Sequence, residues 1–339
     1  MAVLTPTRVI AVLSALAALL ALSIFVGLVT GPSSLGVRPA LDALLGVQPG
    51  AADDIVLRIR LPRILLAMLV GASLATSGVL FQALLRNPLA DPFVLGVSGG
   101  AALGGILVLS LGGTFGLGYT AVPPAAFAGS VATTVVLYAI AGVRGRASAT
   151  SLLLTGVVFN AFASAAIVFL ASLSDFQQAA NIYLWLIGSL SASRVEVAGW
   201  VALFLAGGLA CAIPLARSLN LLTLGEEAAQ QLGVDVERQK RLLLVATSLM
   251  VGAAVSVAGL IGFVGLIIPH LLRLVLGPDH RLLVPAAALG GAAFLVLCDT
   301  AARTLLGGRE LPVGAITALV GGPLFLWLLR RQNLRSFGS

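Results

Sequence analysis

The sequence contains very little charge, and this scarcity decides its class. Only 10% of its 339 residues are Asp, Glu, Lys or Arg, whereas 59% are hydrophobic and the mean hydropathy is +1.09. A soluble domain carries about 25% charged residues. The chain is therefore predicted to be an all-α polytopic membrane protein, a single domain over residues 1–339 with little outside the bilayer.

The groups that several kinds of chemistry require are also missing. No G-x-x-x-x-G-K-[S/T] motif for binding ATP phosphates is present, and the only lysine, Lys240, does not follow a glycine. Two histidines, His270 and His280, are too few for a metal site with several converging ligands. The cysteines, Cys211 and Cys298, lie in apolar runs and are interpreted as small core residues. We predict that this chain is not an enzyme and binds no metal or cofactor.

The formal charge of +7 raises the alternative of a nucleic-acid partner. The arginines are scattered over short loops and form no stripe, which argues against that class. With both termini placed in the cytoplasm of a bacterial cell membrane, 13 of the 20 basic residues fall inside, as the positive-inside rule expects. Three of the outer arginines, Arg58, Arg60 and Arg63, crowd the start of the second apolar run.

Apolar runs bounded by charge, Pro or Gly predict ten membrane helices. Their spans are residues 9–30, 62–85, 93–112, 118–142, 149–172, 196–216, 239–258, 261–276, 282–303 and 314–330. The first run is too long for a signal-peptide core and lacks a suitable cleavage site, so it is interpreted as a membrane helix. The span 261–276 is short and contains Pro269, as expected of a helix that is shielded or lines a cavity.

A short repeat is visible between the second and seventh predicted helices. The pattern V-G-A followed by Gly occurs at residues 70–78 and again at 251–259. An offset of five helices would reverse the direction of the second copy, which predicts two inverted-topology five-helix halves. Chance similarity between Gly- and Ala-rich helices is the alternative.

Two polar segments are predicted on the cytoplasmic side. The first is a structural turn after the second helix, formed by Arg86, Asn87, Pro88, Asp91 and Pro92. The second, residues 217–241, is predicted to contain one or two short helices that dock a partner. Its acidity argues against a membrane-surface helix, because cytoplasmic leaflets are anionic. Its candidate contact residues are Leu219, Leu222, Leu224, Gly225, Glu226, Glu227, Leu232 and Gly233.

Asp299 and Arg303 stand one helical turn apart near the outer end of the ninth predicted helix. One interpretation is an ion pair on a single helix face. The other is that Arg303 joins Arg60 and Arg63 in a basic outer rim that docks an acidic partner.

An ordered set of motifs covers the chain from about residue 58 to the C-terminus. It comprises R-L-P-R (60–63), Q-x-x-x-R-N-P-L-A-D-P (82–92), L-x-L-G-E-x-A-A-x-x-L-G (222–233), G-F-V-G-L-I-I-P-H-L-x-R (262–273) and E-L-P-V-G-x-x-T-A-L (310–319). Together these resemble the FecCD family, the membrane permeases of ABC importers for iron–siderophore complexes, haem and vitamin B12.

The resemblance implies a homodimer with its translocation path at the subunit interface. It also implies two copies of an ATPase inside, which bind ATP and Mg²⁺, and one substrate-binding protein outside. Arg60, Arg63 and Arg303 resemble the family's docking arginines, and residues 217–241 resemble its coupling helices. The family's fifth helix lines the path, which makes Asn160 and Ser164 the candidate path residues.

The expected function is import of an iron chelate, either a ferric siderophore or haem, by alternating access. Import of vitamin B12 or another corrinoid is the alternative within the family. Outside it, an ion-driven secondary transporter would need ionisable residues at the bilayer midplane, and the candidates here sit near helix ends.

Overall fold

A computed structural model describes residues 4–33, 35–46, 53–143, 146–191, 195–306 and 309–336. Arg144 and Arg194, two basic residues of the predicted topology, lie outside these ranges. The described chain is helical throughout, apart from one two-stranded β-hairpin and short turns. Its α-helices are α1 Pro6–Val29, α2 Val37–Leu45, α3 Leu61–Leu84, α4 Val97–Leu111, α5 Val122–Ala141, α6 Ala149–Leu173, α7 Phe176–Ile187, α8 Val195–Leu222, α9 Glu226–Gln231, α10 Val236–Ala258, α11 Val264–Leu276, α12 His280–Thr304 and α13 Val313–Ser336.

The shorter elements connect these helices. A π-helical segment, Asp54–Arg60, leads into α3, and two 3-10 turns, Gly112–Phe115 and Tyr119–Ala121, lie between α4 and α5. Strands β1 Gly142–Val143 and β2 Arg146–Ala147 pair antiparallel between α5 and α6, with Val143 opposite Arg146.

Each of the ten predicted spans contains an apolar helix, which confirms the all-α polytopic class. Eight helices are long and apolar enough to cross a membrane, and Val264–Leu276 and Val313–Leu328 are shorter apolar helices. The predicted end of one helix, at residue 216, is wrong, because α8 continues to Leu222 with Pro214 in its interior. A proline removes one backbone hydrogen bond and kinks a helix without having to end it.

Two helices were not predicted from the sequence, α2 and α7. Helix α7 lies between the predicted spans 149–172 and 196–216, in a segment for which the sequence predicts no helix. Asp175 caps α7 by accepting a hydrogen bond from the backbone N–H of Gln178 (2.7 Å), and the helix buries Ile182 and Trp185. An N-cap aspartate followed by an amphipathic run is the sequence signal for this helix, although such a run has too little hydropathy to mark a membrane span.

Helix α3 lies at the centre of the bundle. Of its 24 residues, 20 are buried, so it contacts other helices on all sides. Glycines allow this packing: a Cβ on Gly71 would overlap the carbonyl oxygen of Gly291 in α12, and one on Gly78 would overlap that of Gly265 in α11. Small residues let helix backbones approach closely where no hydrophobic effect drives association.

The glycines of the predicted repeat have different roles in the structure. Gly71 and Gly252 both face a neighbouring helix closely, but Gly78 lies inside α3 whereas Gly259 ends α10 with φ +68°. The inverted-topology halves stay a prediction.

Candidate docking sites at the two ends of the bundle

A charge cluster lies at the end of the bundle where α3 begins, and it consists of Arg60, Arg63, Asp299, Arg303 and Glu310. Arg60 donates to the backbone carbonyls of Leu28 (2.6 Å) and Ser33 (2.6 Å), next to the C-terminus of α1. A cation at this place neutralises the partial negative charge of a helix C-terminus. Arg60 is 2% exposed, so its guanidinium fastens α1 to α3 from inside the protein.

Arg63 bridges two acidic residues of the charge cluster. Its Nε lies 2.9 Å from Asp299 Oδ1 in α12, and its Nη1 lies 2.8 Å from Glu310 Oε2 in the loop that follows. Arg303 Nε lies 3.0 Å from Asp299 Oδ2, although these two atoms are not aligned for a hydrogen bond. The Asp299–Arg303 ion pair expected from their i,i+4 spacing is thus present, and Asp299 serves two arginines.

Glu310 is the most accessible acid of the cluster, with 43% of its side chain exposed. Partial burial alone would raise its pKa, but the hydrogen bond and charge of Arg63 outweigh burial and lower the pKa below its usual value. Ser191 also donates to Glu310 Oε2 (3.2 Å). Glu310 therefore joins α3, the loop after α7 and the loop before α13 while ionised.

The three arginines of the predicted basic rim lie together at this end, and their side chains are buried in the chain itself. Arg60, Arg63 and Arg303 are 2%, 5% and 3% exposed, and each is directed to a carbonyl or carboxylate of the same chain. The physical reason is that three cations at one helix mouth need partners, and the chain supplies them. Docking of an acidic partner at this end stays a prediction.

At the opposite end, residues 224–233 form a short projection that contains a single helix, α9. The prediction of Leu219 and Leu222 as contact residues is wrong, because both belong to the buried face of α8. Leu224 and Leu232, just before and after α9, are 67% and 61% exposed. Gly225 has φ +119° and Gly233 has φ +84°, conformations that favour glycine at the two bends of the projection.

An ion network holds the α9 projection in place. Lys240 Nζ of α10 lies 2.6 Å from Glu226 Oε2 and 3.2 Å from Glu237 Oε1, with the lysine side chain 5% exposed. Arg86 Nη2 lies 3.6 Å from the other oxygen of Glu226, while Glu227 is exposed. A groove of about 720 Å³ separates α9 from the start of α6.

The predicted structural turn lies beside this network. Asn87 Oδ1 accepts from the N–H of Leu89 (2.9 Å), and Asp91 Oδ1 accepts from that of Phe93 (2.8 Å). Such side-chain bonds stabilise turns between prolines, here Pro88 and Pro92. Burial raises the pKa of Asp91 to about 6, against the opposing effect of the Phe93 hydrogen bond.

The two candidate path residues lie on α6. Asn160 is half-buried against α4, where its side-chain oxygen occupies the space that a Cβ on Gly99 would need. Ser164 is exposed one turn later. Only four of the 25 residues of α6 are buried, and its exposed face includes Val158, Phe162 and Phe169. The role of Asn160 and Ser164 in a translocation path stays a prediction.

Sequence reasoning did not identify Glu310 or Lys240 as parts of these sites. Glu310 was noted only inside a motif, and Lys240 only as the single lysine. Their signal was burial: a charged side chain that is buried in an apolar bundle needs an opposite charge beside it. Among the residues that the structure describes, no group of three or more His, Cys, Asp or Glu could hold a metal ion.

The fold and these two ends define a class: a multi-pass α-helical membrane protein with a short helical projection at one end. The model of the FecCD transport family matches residues 19–331, and the chain belongs to this family.

Relatives and a solved structure agree with this assignment. The chain is 48% identical over 291 residues to the cobalamin import system permease protein BtuC of Halobacterium salinarum, covering 85% of this chain and 76% of the relative. It is 46% identical to the hemin transport system permease protein HmuU of Yersinia pestis, covering 83% and 85%. A solved inward-facing structure, assigned to the metal-chelate type of ABC transporters, superposes with a TM-score of 0.83 at 32% identity, covering 95% of this chain and 99% of the other.

Proposed function

We propose that this chain is the membrane permease subunit of an ATP-driven importer. The observation that carries the proposal is the α9 projection, which exposes Leu224 and Leu232 while Lys240 and Arg86 fix its base. An exposed apolar pair on an anchored, acidic projection fits a groove on a partner protein better than it fits a membrane surface. Membership of the FecCD transport family makes an ABC ATPase the expected partner.

The proposed assembly is a homodimer with two ATPase subunits at the α9 end and one substrate-binding protein at the charge-cluster end. The chain would lie in a bacterial inner membrane with both termini and α9 in the cytoplasm. ATP and Mg²⁺ would bind to the ATPase subunits. The exposed apolar face of α6 supports a subunit interface along the translocation path.

The proposed substrate is a bulky metal chelate, with an iron–siderophore complex or haem preferred and a corrinoid as the alternative. Relatives named for cobalamin and for hemin support this range. Passage of an intact chelate requires no side chain to replace the chelate's own ligands. An ion-driven mechanism is less well supported, because the described buried acids, Asp91 and Asp299, are paired or lie at helix ends.

The test is reconstitution of the chain in vesicles with its ATPase and binding protein. Leu224→Asp combined with Leu232→Asp is expected to abolish co-purification of the ATPase, because two charges replace the apolar contacts. Leu306→Asp is the matched control, since Leu306 is 56% exposed at the opposite end. Uptake should require ATP. Uptake that follows an ion gradient without ATP, or full ATPase binding by the double variant, would refute the proposal.

A further inference from the structure

A groove runs along the outside of the bundle between α8 and α10. Its volume is about 490 Å³, and its lining is almost entirely apolar, with Leu203 and Gly207 on one wall and Val245 and Leu249 on the other. Both helices are long and apolar enough to cross a membrane. The groove thus opens toward the hydrocarbon phase rather than toward water.

The single charged residue of the groove is Arg241, at the end nearest α9. Arg241 is the last charge before an uncharged run that extends from residue 242 to 272. Its side chain is exposed, and no hydrogen bond or ion pair joins it to the described residues. The neighbouring Lys240, in contrast, is buried in the ion network with Glu226.

The dimensions fit one lipid chain. The apolar walls extend from Leu203 to Cys211 on α8 and from Leu242 to Leu249 on α10, or about 12 Å at 1.5 Å per residue. One leaflet of the hydrocarbon core is about 15 Å thick. An empty apolar groove loses dispersion contacts along its whole lining, and this one offers few polar groups to hold water.

We propose that this groove binds an anionic phospholipid, with one acyl chain between α8 and α10 and the phosphate at Arg241. Charge complementarity selects the occupant, because an apolar groove with one unpaired cation at its interfacial end matches an amphiphile with an anionic head. A second copy of the chain would leave this arginine buried without a described partner.

Two glycines allow a matched test of the acyl-chain part. A Cβ on Gly207 meets no atom within 4 Å, so Gly207→Leu fills the groove without disturbing the helix pair. Gly199 lies on the same helix outside the groove and is equally open, which makes Gly199→Leu the control. For the head group, Arg241→Gln is compared with Arg238→Gln, an exposed arginine on α10 that does not line the groove.

The measurement is native mass spectrometry of the delipidated full-length protein, titrated with phosphatidylglycerol or phosphatidylcholine of identical acyl chains. The unaltered protein should bind one phosphatidylglycerol per protomer about fivefold more tightly than phosphatidylcholine. Arg241→Gln should remove this preference, and Gly207→Leu should weaken both lipids. Both control variants should behave like the unaltered protein.

Three results would overturn the proposal. Equal binding of the two lipids would remove the role of charge, and an equal effect of Arg238→Gln would show diffuse attraction instead of a site. Gly207→Leu variants that convert a lipid-free dimer to monomers would show that a second copy covers the groove.

Discussion

Asp299 is the residue on which two buried arginines of the charge cluster depend. It lies 2.9 Å from Arg63 and 3.0 Å from Arg303 and is 1% exposed. Arg63 keeps Glu310 as a second acid, but Arg303 pairs with no other described carboxylate. Asp299→Asn preserves the shape of the side chain and leaves a buried positive charge without its counter-ion.

The expected loss in the free energy of unfolding is about 3–5 kcal/mol, the usual effect of removing one partner from a buried ion pair. The control is Asp54→Asn. Asp54 pairs with Arg58 (3.0 Å), but their side chains are 68% and 82% exposed. An exposed pair contributes at most about 1 kcal/mol, so this control should change little.

Unfolding can be followed in dodecyl maltoside by titration with sodium dodecyl sulfate, using a thiol-reactive dye. Cys298 is free, 5% exposed and adjacent to Asp299, so the dye reports opening at the site itself. Cys211, the more accessible thiol, is replaced by serine in every variant.

A double variant decides whether charge is the cause. Asp299→Asn combined with Arg303→Met restores charge balance between Arg63 and Glu310, and it should recover at least half of the lost stability. Additive losses in the double variant would contradict this explanation, as would an Asp299→Asn loss no larger than that of Asp54→Asn.

Three further predictions use the same preparations. Gly78→Ala should lower the free energy of unfolding by about 1–3 kcal/mol, because its Cβ meets the Gly265 carbonyl, whereas Gly262→Ala meets no atom within 4 Å and should change little. Asp91 has a folded-state pKa of about 6 against 3.8 when unfolded, so the folded state binds its proton more tightly. The free energy of unfolding should therefore rise by up to about 3 kcal/mol as the pH falls from 6 toward 4. Asp91→Asn should abolish this rise. Lys240→Met leaves Glu226 with Arg86 as its one described counter-ion and removes the described counter-ion of Glu237. This variant should weaken ATPase co-purification, whereas Arg238→Met should not.

The helices could be predicted from the sequence because a charged residue inside hydrocarbon is costly, so uncharged runs mark the spans directly. The same reasoning could not predict where α8 ends, because the residues after Pro214 continue the buried pattern through Leu219 to Leu222. Nor could it find α7, whose amphipathic surface lowers the hydropathy on which the prediction depended.

The sequence predicted where the candidate sites lie along the chain, but not which residues contact each other in them. The turn at Arg86 and the acidic segment around Glu226 were each proposed for the cytoplasmic side, and the structure joins them through one ion pair. The arginine cluster differs from these segments. Sequence indicates where Arg60 and Arg63 lie along a helix, but only the packing of α1 and α12 shows that they face inward.

Burial within one protomer differs strongly between α3 and α6. Helix α3 has 20 of 24 residues buried. Ion pairs of Arg63 at its start and of Arg86 in the turn after it hold both of its ends. Any displacement of α3 therefore breaks many contacts together. Helix α6 has four of 25 residues buried, and its start faces the groove beside α9. Elements with few buried contacts reorient at the lowest free energy. We therefore expect a force applied at α9 to displace α6 while α3 stays in place, and labels on these two helices should show distance changes only for pairs that include α6.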